Sequence, residues 1–507
     1  MYGLDSNSSY YRSLRKLKLD DALRNAADYT RIMLSRDEPV HDFIVRDRML
    51  LKKYKITVAA WNLSEVAYHA IIAANDYGKK VDDEFLFYAV NEHILFREAI
   101  SKENYNATNK DDILMRILVG LSQQQFWYQE TLWLREEFNR QVEILHKIPE
   151  SICAPELFGC ENFDWVFKKA LDMSIDDFRS VIMLLHALNM AKLDLSRVCL
   201  PQDIIKIHSA FTDDNLRKVI EFYSTTYKGV RNSRFGIREN YLALKPIVQT
   251  DKNVLVIPDA YLMAKKMVDG PLWVIRDSFQ SLPDKKSRNR FVNGYGYLFE
   301  KYVENMLKSQ LSDDKYERIL ESEDEGVKRA DFFIKTKKYR IIVELKSGIL
   351  PMMAKKMYPN MGDLKNYLEE FSKGAVQLDH TENDFVDNDR ESAKILVHYE
   401  MLYVSDVLIR PYVIKTLEGK LNNKRNIFFC DVGELEWLVS VLGSSESEFE
   451  EILARKILKQ NDGLNNMEFR QIIPDVTEVN NKYNHEVLNH WQKQLPGLYE
   501  KVIRSDF

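Results

Sequence analysis

Cysteine is scarce: Cys153, Cys160, Cys199 and Cys430 are the only four in 507 residues. They are too few for a disulfide framework and none forms a CxxC zinc pair, so reduced thiols in a cytoplasmic protein are expected. No run of residues approaches the apolar length needed to span a bilayer, and the opening "MYGLDSNSSYYRSLRKLK" lacks the apolar core of a secretory signal. No membrane partner is therefore expected. Excess positive charge is missing too. A net charge of −5 and a pI near 6.1 exclude a histone-like coat for nucleic acid while leaving room for local basic patches. The chain has no GxxxxGK(S/T) loop, which removes P-loop ATP hydrolysis, and no fixed-period repeat, which removes a helical solenoid.

What is present is a chain with 45% hydrophobic residues, long enough for two or three domains with their own cores. Residues 1–225 read as helix after helix, from apolar recurrence at three- and four-residue spacing. "KITVAAWNLSEVAYHAIIAANDYG" predicts a helix closing on Gly78 as a C-cap. "DDILMRILVGLSQQQFWYQETLWLREEFNRQVEILHKI" predicts a long aromatic one, and "SIDDFRSVIMLLHALNMAKLDL" predicts a third opened by a Ser/Asp cap. Residues 226–285 form a small mixed α/β connecting segment. Within it "YLALKPIVQTDKNVLVIPD" gives two short strands around an Asp-Lys-Asn turn, and a helix follows, interrupted at Gly270-Pro271. The polar, basic "SLPDKKSRNR" reads as a link.

Residues 286–507 change texture again. A helix over "GYGYLFEKYVENMLKSQL" precedes three strand candidates, "YERILES", "ADFFIKT" and "YRIIVELK". A helix over "MGDLKNYLEEFSKGAVQL" leads to a strand in "AKILVHYEMLYV". A helix around "PYVIKTLEGKL" leads to another strand, "NIFFCDV", and then to C-terminal helices. The order predicts a mixed sheet flanked by helices in an α+β or α/β multidomain chain.

"DFFIKTKKYRIIVELK" reads as a hairpin turning on "KTKK". Side chains alternate along a strand, so Glu344 and Lys346 share one face while Ile341, Val343 and Leu345 share the other. The hairpin returns the Glu344 end to the Asp331 end, which gathers two carboxylates and an ammonium at one end of the sheet. Hard carboxylate oxygens there suit Mg²⁺ or Mn²⁺ beside a phosphate oxygen. Asp331 followed by Glu344-Leu345-Lys346 resembles the PD-(D/E)xK superfamily of restriction-endonuclease-like nucleases, over roughly residues 288–443. The resemblance implies a restriction-endonuclease-like core in the C-terminal half. In it Asp331 and Glu344 would be metal ligands with the Leu345 carbonyl, and Lys346 would position the water. Glu300 on the preceding helix would assist, with Glu304 one turn later. Ala330 replaces the family's proline. Gln377 is an accessory candidate, although Thr381 stands where relatives with the Gln-x-x-x-Tyr motif have tyrosine. The implied activity is a Mg²⁺-dependent endonuclease, on DNA in preference to RNA, possible as the effector of a bacterial anti-phage defence system. The rival reading is a non-catalytic nucleic-acid- or protein-binding subunit that keeps the fold.

Basic residues cluster near the motif: Lys285, Lys286, Arg288, Arg290, Lys328, Arg329, Lys355 and Lys356 are expected to meet phosphate backbone. The helical N-terminal region is expected to sense, to bind a protein partner or a second copy of the chain, or to select substrate. Other signals carry less. Glu143 and His146 have di-iron spacing without a second Glu-x-x-His. "GYGYLFE" follows no strand and lacks a third glycine. "HTENDFVDNDRE" reads as a surface loop, and the aromatic "QQQFWYQETLWL" as helix core.

Overall fold

The computed structural model describes residues 8–34, 60–74, 78–80, 86, 88–96, 119, 132–151, 154–160, 162, 163–196, 199–233, 240–321, 328–350, 361–387, 389–400, 402, 405–460 and 467–472. The architecture is mixed α+β. Its principal helices are α1 (Leu19–Leu34), α2 (Ala60–Ala73), α3 (Phe163–Leu171), α4 (Ile175–Met190), α5 (Asp213–Tyr223), α6 (Ala260–Lys265), α7 (Gly270–Gln280), α8 (Lys285–Gln310), α9 (Met361–Asp384), α10 (Arg410–Thr416), α11 (Val432–Ser444) and α12 (Glu446–Lys459). Among the described residues no helix is long and apolar enough to cross a membrane.

Two sheets interrupt the helices. The smaller contains β1 (Ser224–Thr226), β2 (Ile247–Gln249) and β3 (Leu255–Val256), with β1 parallel and β3 antiparallel to β2. The larger runs β4 (Tyr316–Arg318), β5 (Phe332–Lys335), β6 (Tyr339–Lys346), β7 (Glu391–His398), β8 (Ile427–Asp431) in that spatial order. Its first three strands are antiparallel and its last three parallel. β6 therefore has a hydrogen-bonded neighbour on each side, and its charged residues do not belong to an exposed edge.

Period-two alternation sends the sheet's side chains into two cores. Phe332, Ile334, Ile341, Val343, Ile395 and Phe428 join Phe299, Tyr302 and Val303 of α8 and Leu438 and Val439 of α11. Phe333, Ile342, Leu396 and Phe429 meet Leu368, Phe371, Ala375 and Leu378 of α9 and Val413 of α10. The first core extends through α3, α4, α5 and α7, so one buried apolar cluster spans positions 225 and 285. A third core joins α1 and α2 to the small sheet. Arg140 reinforces the first join, since its guanidinium grips Glu436 of α11 at 2.7 and 3.1 Å while Tyr302 donates to the same carboxylate at 2.7 Å.

Several local expectations change. Residues 285–290 are the start of α8, not a link, because the helix's buried stripe reaches back to Phe291 and Tyr295. α2 ends at Ala73, and Gly78 is not its C-cap. A Cβ at Gly78 would fall 2.2 Å from the Leu17 carbonyl oxygen, so glycine is there for a close main-chain approach. Residues 380–384, expected in a loop, complete α9. Ser174 does cap α4, accepting from the Asp177 amide at 3.0 Å. Part of the long aromatic helix expected over 111–148 and of the C-terminal helices lies outside the described residues.

The hairpin of β5 and β6 is closed by a clamped turn. The Tyr339 amide donates to Thr336 Oγ1 at 2.9 Å. Two carboxylates of α12 then take the turn's own amides: Lys337 donates to Glu446 and Lys338 to Glu450, each at 2.8 Å.

Candidate functional site

The β5–β6 register places Phe332 opposite Val343, and the Asp331 amide donates to the Val343 carbonyl at 2.9 Å. Asp331 therefore stands across from Glu344, where the ladder ends. Its Oδ2 accepts from the Leu345 amide at 2.7 Å and so replaces the next rung. Glu344 and Lys346 face α9, and their ion pair is 2.6 Å long. Lys346 Nζ also donates to Gln377 Oε1 at 2.7 Å, and Gln377 Nε2 donates to the Arg329 carbonyl at 3.2 Å. Gln377 thus ties the lysine to the main chain two residues before Asp331.

α9 clears space for this group at one position. A Cβ on Gly374 would fall 2.6 Å from Leu396 Cδ1, 2.9 Å from Lys346 Cε and 3.4 Å from Glu344 Cγ. Thr381, one turn after Gln377, accepts the Ala330 amide at 2.8 Å and returns its own hydroxyl to the Gln377 carbonyl at 2.8 Å. The residue that departs from the family's tyrosine here fixes the strand that bears Asp331.

The electrostatics follow from burial. Glu344 is 2% exposed. Burial pushes its carboxyl up to about 8; the Asp331 charge adds to the rise and Lys346 opposes it. Asp331 is pushed up to about 6, first by burial, with the Leu345 amide opposing and Glu300 adding. Glu300 on α8 is also raised, by burial, with Arg318 opposing and Glu304 adding. Three carboxyl groups feel one another's charge. Glu344 carries the sharper signal: its Oε2 is buried and, among the described residues, has no hydrogen-bond donor, a costly state for a carboxylate oxygen.

That vacancy in hydrogen bonding fits a hard divalent cation. Glu344 Oε2 and the Asp331 carboxylate supply oxygen ligands of the type Mg²⁺ and Mn²⁺ take, and the Leu345 carbonyl lies between Glu344 and Lys346 in the chain. Among the described residues no three His, Cys, Asp or Glu side chains stand together as a metal-holding group. Glu300 is engaged elsewhere: Arg318 of β4 pairs with it and lies 3.9 Å from Glu304. Arg318 escaped sequence reading. Its place follows from the pairing of β4 with β5, which sets Arg318 opposite Phe332, the residue after Asp331.

The basic residues divide. Lys328 is exposed three positions before Asp331. Arg329 pairs with Asp384 at 2.9 Å and stacks over Phe385 at 4.9 Å. Lys285 and Lys286 are exposed at the start of α8, about 20 Å along its axis from Glu300 at 1.5 Å per residue. They do not share a phosphate with the carboxylates. Arg290 faces a cavity bounded by α3 and α7. Arg288 lies in α8 with a side chain outside those described, and Lys355 and Lys356 lie outside the described residues altogether. Glu143 pairs with Lys147 at 2.6 Å, and His146 pairs with Glu150 at 3.1 Å and with Asp176 of α4 at 3.5 Å, so both are held in ion pairs.

Compared with protein-family models, with curated proteins and with solved structures, the chain matches none.

Proposed function

We propose that this protein is a metal-dependent phosphodiesterase acting on nucleic acid, DNA in preference to RNA. In this reading Asp331 and Glu344 hold Mg²⁺ or Mn²⁺, aided by the Leu345 carbonyl. The observation that carries it is the donorless, buried Glu344 Oε2 beside Lys346 and across from Asp331. The resemblance to the PD-(D/E)xK nucleases and a mixed sheet between helices support the same reading. A divalent ion bound there would acidify its water and offset negative charge on the phosphoryl oxygens.

The chain's own groups do the rest. Lys346, held by Glu344 and Gln377, orients the attacking water and stabilises the charge that develops on the phosphate. Asp331 keeps its orientation through the Leu345 amide. Arg318 offsets the Glu300 charge, leaving Glu300 to tune the two ligands from the α8 side. Lys328 lies where a backbone phosphate would approach. The helical N-terminal region would bring a protein partner, a second copy or the substrate, and the setting we favour is a bacterial anti-phage effector.

The test uses purified full-length protein with plasmid, single-stranded DNA and RNA, each with Mg²⁺, Mn²⁺ or EDTA. The expected result is metal-dependent cutting of DNA that Asp331→Ala and Lys346→Ala abolish. Cutting that survives both substitutions would overturn the site. Metal-independent binding without cutting would instead favour a subunit that keeps the fold without the chemistry. Plaque counts on cells carrying wild type or Asp331→Ala test the anti-phage setting.

A further inference from the structure

A second site lies away from the sheet, where α3, α5, α7 and the start of α8 enclose a cavity of about 600 Å³. That volume falls within the range of small-molecule pockets, about 300–1,000 Å³. Phe158, Trp165, Phe222 and Phe279 contribute aromatic walls, and Lys169 and Arg290 contribute two cations. Among the described residues neither cation has an acidic partner. Lys169 Nζ sits 3.6 Å from the centroid of the Trp165 ring.

Two glycines shape this wall. Gly159 has φ +73°, and a Cβ there would fall 2.0 Å from Arg290 Nη1, so the guanidinium lies directly on the main chain. A Cβ on Gly294 of α8 would fall 2.3 Å from the Phe158 ring. Trp165 is 41% exposed and Leu282 37%, so two of the large apolar residues left open among those described border one cavity. Single exposed apolar residues are ordinary, but a pair at the mouth of an aromatic cavity whose two cations have no acidic partner among the described residues marks a binding place.

We propose that this cavity binds a small organic anion bearing a flat ring system. The ring lies against Trp165, Phe222 and Phe279, and the acidic group is held by Arg290 and Lys169. Asp277 also lines the cavity. Burial raises its carboxyl, with Arg276 opposing. This site is independent of the phosphodiesterase reading and stands if that reading fails.

The experiment uses two fluorescent probes of similar ring size: 8-anilinonaphthalene-1-sulfonate, and the uncharged N-phenyl-1-naphthylamine. The sulfonate is expected to saturate one site per folded chain. Arg290→Gln should weaken it roughly tenfold, the usual scale of one charged hydrogen bond, and Lys169→Gln should weaken it too. Neither change should shift the uncharged amine, whereas Trp165→Ala should weaken both probes. Near-ultraviolet circular dichroism checks the fold of each variant, and the Lys169 arm decides the matter if Arg290→Gln does not fold. Sulfonate binding that is absent, that needs many sites, or that is indifferent to the charge substitutions would overturn the proposal.

Discussion

The large sheet carries two buried clusters of charge, and they differ in how completely they are satisfied. At the β8 edge, Asp406 Oδ1 accepts from the Phe429 amide at 2.7 Å and faces Arg410 Nε at 2.9 Å, while its Oδ2 faces Lys456 Nζ at 2.6 Å. Glu468 accepts from the Asp406 and Val407 amides at 3.1 and 3.0 Å. Asp431 and Glu434 form a capping box on α11, and Arg470 pairs with both. At the β5–β6 end, Glu344 has Lys346 on one oxygen and, among the described residues, no hydrogen-bond partner on the other. Burial raises carboxyl groups in both places, Glu434 and Glu468 as well as Asp331 and Glu344. A raised carboxyl therefore does not separate a structural cluster from a reactive one. The difference lies in the cations: Asp406 Oδ2 also lacks a regular hydrogen bond but has Lys456 Nζ at 2.6 Å, whereas among the described residues no cation stands against Glu344 Oε2. The first cluster locks α10, α11 and α12 to β8; the second, in the reading proposed above, leaves a place for a metal ion.

The sharpest way to break this contrast is to substitute one lysine in each cluster. Lys346→Ala should lower metal-dependent cleavage by about 10²–10³-fold, the scale of removing one group aimed at developing charge. Its thermal midpoint should hold. Lys456→Met should do the reverse, costing about 3–5 kcal/mol in urea unfolding because Asp406 is left buried without its cation. Cleavage per folded molecule should persist. Equal losses of stability in the two variants would dissolve the distinction.

Gly374→Ala sits between these extremes. Its added methyl meets Leu396 and the Lys346 stem, and overpacking of that kind costs about 1–3 kcal/mol. Calorimetry should record the loss together with reduced cleavage. Gln377→Ala should lower cleavage roughly tenfold, the scale of a charged hydrogen bond, with a pH profile altered and the midpoint nearly unmoved. A wild-type rate would mean that Lys346 needs no second anchor.

Stability should also depend on pH through Glu344. Glu344 rises from its ordinary 4.5 to about 8 in the folded chain, so the folded state holds that proton more tightly than the unfolded one. Its contribution to the stability of the metal-free protein is complete below about pH 4.5 and is lost as pH rises through about 8. Urea titrations at pH 5 and pH 8 should show a wider gap in wild type than in Glu344→Gln. Identical gaps would mean that Glu344 is already ionised when folded.

Much of the second cluster was legible in the sequence. A β-branched run ending in Glu-Leu-Lys, with a polar turn and an aspartate before it, fixes β5, β6 and the pairing of Asp331 with Glu344 by local rules alone. Gln377 was found through the family motif, yet its contact with Lys346 depends on how α9 is phased over β6, which only packing decides. Arg318 was passed over because "YER" reads as a short exposed strand, and its role arises from the strand order β4-β5-β6. The start of α8 was misplaced because a basic stretch resembles a linker until Phe291 is seen to need a helical turn before it. Asp406 and Lys456 stand 50 residues apart in sequence, so no local pattern announces their pairing.

The clamped turn at Lys337 and Lys338 has a consequence for inheritance of the site. Glu344 lies seven residues beyond Lys337, about 23 Å along the strand. Strand pairing has a period of two, so a slip of one residue would turn Glu344 and Lys346 toward α8 and drive Leu345 toward α9. Thr336, Glu446 and Glu450 guard against that slip from the far end. In the proposed reading, an insertion or deletion in the turn would thus be a lesion of the chemistry, although it touches no group assigned to the substrate.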